Sequence, residues 1–215
     1  LATARPAKPK QKTYIQDLFF LRRRPRLRGI PLDWERPATD EEFQKMIADE
    51  GFISIRHWDE DDMNQHPIIV QDLADLEQYL LPTFFEFSQK SKYYQNQFYL
   101  YQWIFIVGAF LTTILGALAS IYYVSDPSDA TGRANLQIMF SYMTAVVGAV
   151  TAFITALSNR GEPQKRWGKN RRLAEELRMT YFTYLSHLEP YDKPDRVQVL
   201  RQNVIDTRLK EQQNG

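Results

Sequence analysis

The sequence predicts a mainly α-helical integral membrane protein: a two-helix transmembrane hairpin with a cytoplasmic helical stalk and an extended basic N-terminal arm. Three observations carry this. From Trp103 to Val124 the chain holds no Asp, Glu, Lys, Arg, His or Pro, and at 1.5 Å per helical residue about 22 residues span roughly 30 Å, the thickness of a bilayer's hydrocarbon core. A second uncharged run extends from Leu136 to Leu157, and neither run keeps the polar face of a soluble helix. The connection between them, Ser125 to Asn135, is so short that two spans can only cross and return as a hairpin.

Composition sets the membrane part in proportion. Mean hydropathy over the 215 residues is −0.46, so the hairpin is the minority of a charged chain. There is no cysteine, which removes disulfides, a thiolate nucleophile and Cys-based zinc sites. The net charge of +1 hides segregation: the first forty residues are basic, Asp40 to Glu86 is acidic, and Arg160 to Arg172 is basic again. Four regions follow: a basic Pro-rich arm over 1–38, an acidic helical segment over 39–90, the hairpin over 91–160 with spans at about 101–124 and 136–158, and amphipathic helices over 161–215.

The arm carries R-R-R-P-R-L-R from Arg22 to Arg28, and Pro6, Pro9, Pro25, Pro31 and Pro37 interrupt any long helix. Its apolar Leu18-Phe19-Phe20-Leu21 is too short for a cleavable signal. Contact with anionic lipid or a partner subunit suits such an arm, at about 1 kcal/mol per cation near a charged surface; nucleic acid is not its expected partner, since no aromatic platform accompanies it. Thr39-Asp40-Glu41-Glu42 forms a capping box for a short helix that Gly51 ends. Phe52 to Arg56 alternates like a short strand. Asp59-Glu60-Asp61-Asp62 opens a helix or pairs with a basic block; it lacks the glycine and terminal glutamate of a calcium loop. Leu73, Leu76 and Leu80 recur at helical spacing, Pro82 kinks or restarts the helix, and Phe84, Phe87, Tyr94 and Phe98 lead without another breaker into the first span.

Tyr93, Tyr94, Tyr99, Tyr101 and Trp103 at the start of that span, with Tyr122 and Tyr123 at its end, read as interfacial belts. Lys90, Lys92, Arg160, Lys165, Arg166, Lys169, Arg171 and Arg172 flank the hairpin, against two acids and one base in the loop. The positive-inside rule then puts both termini in the cytoplasm. Arg166, Lys169, Arg171 and Arg172 are candidates for a cytoplasmic basic contact with an acidic segment or anionic headgroups. From Pro163 to Leu188, Trp167, Leu173, Leu177, Tyr181, Tyr184 and Leu188 define an amphipathic helix able to pack on the stalk or on another subunit. Val197, Leu200, Val204 and Leu209 define a last helix after Pro194.

Within the spans, Gly108, Thr112, Gly116 and Ser120 repeat every fourth position, as do Ser141, Ala145 and Ala149, and such stripes let helices approach closely. Thr144, Gly148, Thr151 and Thr155 fall within an arc of about 60° on the second span. One reading makes this arc a weakly polar pore lining; the other makes it ordinary packing, with hydroxyls bonded back to their own helix. No catalytic constellation, cofactor motif or metal set is present: His57, His66 and His187 are not at ligand spacing, and no acid or base lies inside either span. The expectation is a protein that is not an enzyme and needs no cofactor.

The strings K-Y-Y-Q-N-Q-F-Y-L-Y-Q-W-I-F-I-V-G-A-F-L-T-T-I-L-G-A-L (Lys92 to Leu118) and R-W-G-K-N-R-R-L-A-E-E-L-R-M-T-Y-F-T-Y-L (Arg166 to Leu185) resemble the SLATT superfamily of two-transmembrane proteins, in its branch called domain of unknown function 4231. The resemblance covers about Leu80 to Val204. It implies an oligomeric membrane pore of bacterial conflict systems, and so a bacterial inner membrane. Two classes of function stand side by side: an oligomeric two-helix pore or channel, and a non-catalytic anchoring or scaffold subunit of a larger membrane complex. The expected partners are membrane lipids and either further copies or other subunits.

Overall fold

The computed structural model describes residues 34–122 and 130–213. Most of the basic arm, Tyr123 and the loop acids Asp126 and Asp129 lie outside these residues. Within them run α1 (Asp40–Asp49), α2 (Glu60–Gln65), α3 (Pro67–Tyr79), α4 (Leu81–Ile121), α5 (Ala130–Gly161), α6 (Pro163–Leu185) and α7 (Arg196–Gln213). Helices α4 and α5 are long and apolar enough to cross a membrane.

The helix boundaries follow local chemistry. Thr39 Oγ1 accepts from the Glu42 amide at 3.4 Å, and Gly51 turns the chain out of α1 with φ +83°, a left-handed value that costs glycine little. Asp59 caps α2 by accepting from the Asp62 amide at 2.8 Å. Pro82 sits in the first turn of α4, where its missing N–H is not needed, so it restarts the helix after α3. The short strand expected over Phe52 to Arg56 is not formed. Ile55 to His57 is a 3-10 turn, because the described residues offer no neighbouring strand and the Ile55 amide donates instead to the buried Gln44 side chain at 3.2 Å. That side chain also accepts from Ser54 Oγ and donates to Glu77, while Ser54 Oγ accepts from the Arg56 amide and the Ile55 carbonyl from the Trp58 amide, so the turn's polar groups find partners without a strand.

Helix α4 is a single element of 41 residues, roughly 60 Å long, and it belongs to two environments. Its first turns bury Leu81, Phe84, Phe85 and Phe87 in a base formed with α1, α3, α6 and α7. Here Leu73, Leu76 and Leu80 of α3, Leu173, Leu177, Tyr181 and Tyr184 of α6, and Leu200 and Val204 of α7 close one core. Trp34 stacks on Phe85 at 5.1 Å and Arg36 lies over the Phe43 ring at 4.2 Å, so the last residues assigned to the arm pack against this base.

Two apolar assignments are corrected. Leu188 is 60% exposed, because α6 stops at Leu185 and His187 turns the chain with φ +50°. Leu209 is also exposed, while Thr207 is buried in its stead. Nine residues at 3.6 per turn put Leu209 about 180° from Leu200, whereas Thr207 returns to the buried face.

Candidate functional site: the apolar hairpin and its polar base

Above the base, α4 and α5 lie against each other, and no other described residue covers most of their outer surfaces. Phe110 is 65% exposed, Val146 62% and Phe153 65%. The helices meet on one narrow face. Gly108 is buried there, and a Cβ on it would lie 2.5 Å from Thr151 Oγ1, so the close approach depends on a glycine. Farther along, Tyr122 stacks on Phe140 with centroids 5.7 Å apart.

The proposed small-residue stripes divide between this contact and the exterior. Gly108 and the partly buried Thr112 face α5, but Gly116 and Ser120 are exposed, and a Cβ on Gly116 would meet nothing within 4 Å. The reason is geometric: a step of four residues drifts about 40° around a helix, so a four-membered stripe wraps off its own face. Ser141, Ala145 and Ala149 are exposed on α5.

In the hydroxyl arc, Thr144 and Thr151 are partly buried in the hairpin and Thr155 is exposed. All three hydroxyls donate to carbonyls four residues back, to Phe140, Val147 and Thr151, each at 2.8 Å. Gly148 has open space where a side chain would be. The inter-helix groove beside Thr151, of about 380 Å³, is otherwise lined by Trp103, Val107, Leu111, Val146 and Val150 among others, an apolar wall that offers water few partners.

Polar ties hold the base to the hairpin's root. Glu50, at the end of α1, meets Lys92 of α4 at 2.5 Å and Arg178 of α6 at 3.3 Å. Asp72 of α3, 1% exposed, lies 2.6 Å from Arg196 and 2.6 Å from His187. Beside it, Asp75 accepts from the Tyr184 hydroxyl at 3.1 Å. A buried carboxylate of this kind is tolerable only with its cation in place. Trp167 of α6 packs on Phe98 and Tyr99 of α4 at 5.9 and 6.1 Å, and Arg166 reaches Tyr94. Part of the expected aromatic belt thus serves as a helix-to-helix seam.

Residues 86–198 match the family described as a protein of unknown function, DUF4231, over just more than half of the 215 residues. The chain belongs to that family. Neither the comparison with curated proteins nor that with solved structures gives a match. The DUF4231 segment begins within the stalk part of α4, takes in the whole hairpin and α6, and ends in α7. Glu50 and Asp72 lie outside the matched segment, while their partners Lys92, Arg178, His187 and Arg196 lie inside it.

The DUF4231 segment also holds the four basic candidates. Lys169 Nζ donates to the Glu211 carbonyl at 2.5 Å, and Arg166 contacts Tyr94 as above. Arg171 and Arg172 are exposed and make no ion pair with a described residue. The base also uses Lys90, which the sequence places only among the basic flanks of the hairpin, and Arg178, Arg196 and Arg208, to which the sequence assigns no role. Each has a partner more than a hundred positions away, Glu211, Glu50, Asp72 and Glu86 respectively, and local spacing does not announce these ties. Burial lowers the Lys90 ammonium, but hydrogen bonds to Glu211 and Glu86 outweigh it and the net shift is upward. Burial pushes the phenols of Tyr181, Tyr184 and Tyr191 above their usual range, Tyr184 with help from Asp75. Among the described residues no three His, Cys, Asp or Glu side chains converge on a metal position.

Proposed function

We propose that this DUF4231 protein is an integral membrane protein whose hairpin crosses the bilayer, associates laterally with further copies or other membrane subunits, and anchors the helical base at the cytoplasmic face. The base would act as a non-catalytic docking or scaffold module. The observation that carries this reading is the contrast of surfaces. The apolar windows of α4 and α5 are 6% and 0% buried, an exposure that water penalises at about 25 cal/mol per Å² and lipid does not. Basic residues flanking the root support a cytoplasmic base, and the resemblance to the SLATT superfamily supports a bacterial inner membrane setting. The exposed, small Ser141, Ala145 and Ala149 support lateral association through α5.

A pore is the second reading. The exposed hydroxyls of Ser120 and Ser141 favour it, as weak polarity left for a path between subunits. It ranks behind the anchor because Thr144 and Thr151 face the neighbouring helix of the hairpin and bond to their own backbone.

Fractionation and purification test both readings. Membranes washed with alkaline carbonate are expected to retain the protein, and release into the wash overturns the membrane assignment. The mass of the detergent-purified particle and its conductance in planar bilayers then separate the two. A silent particle carrying other subunits, or an oligomer without conductance, supports the anchor. A ring of identical chains that conducts supports the pore.

A further inference from the structure

The root of the hairpin holds a charged cleft that the anchor reading does not need. Its volume is about 350 Å³, and its walls come from α4, the α5–α6 break and the end of α7. Four cations line it, Lys90, Lys165, Arg166 and Lys169, against two carboxylates, Glu162 and Glu211. Lys90 is held by Glu86 and Glu211, each at 2.8 Å, and Lys165 by Glu162 at 2.7 Å. The surplus therefore sits on Arg166 and Lys169, which contact only a phenol and a backbone carbonyl. They are three residues apart on α6 and share a face. Asn170 closes the same wall. It is 5% exposed, its amide nitrogen donates to the Arg166 carbonyl, and its Oδ1 is buried with no donor among the described residues. A buried acceptor without a donor carries a penalty that a ligand hydroxyl or ammonium would relieve.

A second cleft, of about 450 Å³, adjoins the first through Glu162 and Lys165 and rises along the hairpin past Phe98 and Phe105. Two cations and a buried acceptor below, with aromatic surface above leading to apolar helices, match an amphiphile better than a free phosphate.

We propose that this cleft binds the headgroup of an anionic glycerophospholipid. Its phosphate lies on Arg166 and Lys169, a headgroup hydroxyl serves Asn170, and its chains run beside Phe98 and Phe105. The inference rests on the membrane reading above.

The test uses the full chain in detergent, with native mass spectrometry of adducts formed with phosphatidylglycerol or phosphatidylcholine. The wild type is expected to prefer phosphatidylglycerol, and Arg166→Gln with Lys169→Gln to reduce that preference roughly ten- to thirty-fold, as two cations near an anionic group imply. Arg171→Gln with Arg172→Gln, on the exposed side of the same helix, is expected to leave it unchanged. Equal losses in both pairs would mean diffuse surface charge and overturn the site. So would displacement of the lipid by millimolar inorganic pyrophosphate, which would mark a site for soluble phosphates. Should the double variant unfold, Arg166→Gln alone is expected to give the same order at smaller amplitude, and no difference from wild type overturns the proposal. Wild type released by carbonate would overturn the membrane reading itself. Wild type retained in membranes but without lipid preference would overturn the lipid site alone.

Discussion

The base and the hairpin are both built from apolar helices, yet they use that apolarity in opposite ways. In the base, Leu177, Phe87 and Leu200 are 0% exposed and charged pairs stitch the outside. In the hairpin, two helices touch along one seam and turn Phe110, Val146 and Phe153 outward. Helix α4 passes through both regimes without a break, so helix formation does not distinguish them; what surrounds each face does. The comparison teaches that the base is held by packing within the chain, and the hairpin by one close approach and by whatever lies outside it.

Cutting into each region is the most direct way to break that contrast. Leu177→Ala is expected to cost the base about 2–5 kcal/mol, as fully buried leucines do, and Asp72→Asn about 3 kcal/mol or more, because Arg196 loses its buried counter-ion. Val146→Ala on the hairpin exterior is expected to change stability by less than about 0.5 kcal/mol. Thermal unfolding of the detergent-solubilised protein, followed by circular dichroism, compares the three, and a costly Val146→Ala would mean that the hairpin surface is packed after all.

The seam itself comes next. Gly108→Ala places a methyl against Thr151 and is expected to cost about 1–3 kcal/mol, the range for overpacking. Gly116→Ala meets open space and is expected to be neutral or to stabilise the helix by up to about 1 kcal/mol. Thr151→Ala should restore much of the loss in Gly108→Ala, and failure of this rescue in the same melting assay would place the contact elsewhere.

Alkaline titration sharpens the base alone. Tyr181, Tyr184 and Tyr191 have phenols raised by burial. Below about pH 10 they are neutral both folded and unfolded, and their contribution is fully present. Above it the unfolded phenols ionise first, so stability falls as pH rises, and the raised Lys90 acts in the same direction. The melting temperature should therefore decline from pH 9.5 to 11.5, less steeply in Tyr184→Phe. Among the destabilising changes a modest one is expected at Gly51→Ala, about 1 kcal/mol, because the left-handed φ is disfavoured there although space is free.

Most elements were legible in the residues because their causes are local. Uncharged runs, the Thr39 and Asp59 caps, Pro82 and the 3.6-residue spacing of Leu73, Leu76 and Leu80 act within a few positions. The Phe52 to Arg56 alternation misled because a strand needs a neighbour, and alternation cannot say whether one is present. The stripe of Gly108, Thr112, Gly116 and Ser120 divides for a related reason: sequence spacing marks it as a set, while helical drift carries Gly116 and Ser120 off the face that Gly108 gives to the seam.

What the sequence by itself determined is therefore the inventory: two uncharged helices with a short connection, charged helices before and after them, and membership of the DUF4231 family. Only the tertiary structure decided that α6 returns along the stalk through Trp167, that Gly108 rather than Gly116 makes the seam, that Glu50 and Asp72 gather their cations from more than forty and more than a hundred positions away, and that Arg166, Lys169 and Asn170 share a cleft. Local order depends on neighbours along the chain, whereas these pairings depend on which helix faces meet once the apolar surfaces of the base have been buried against one another.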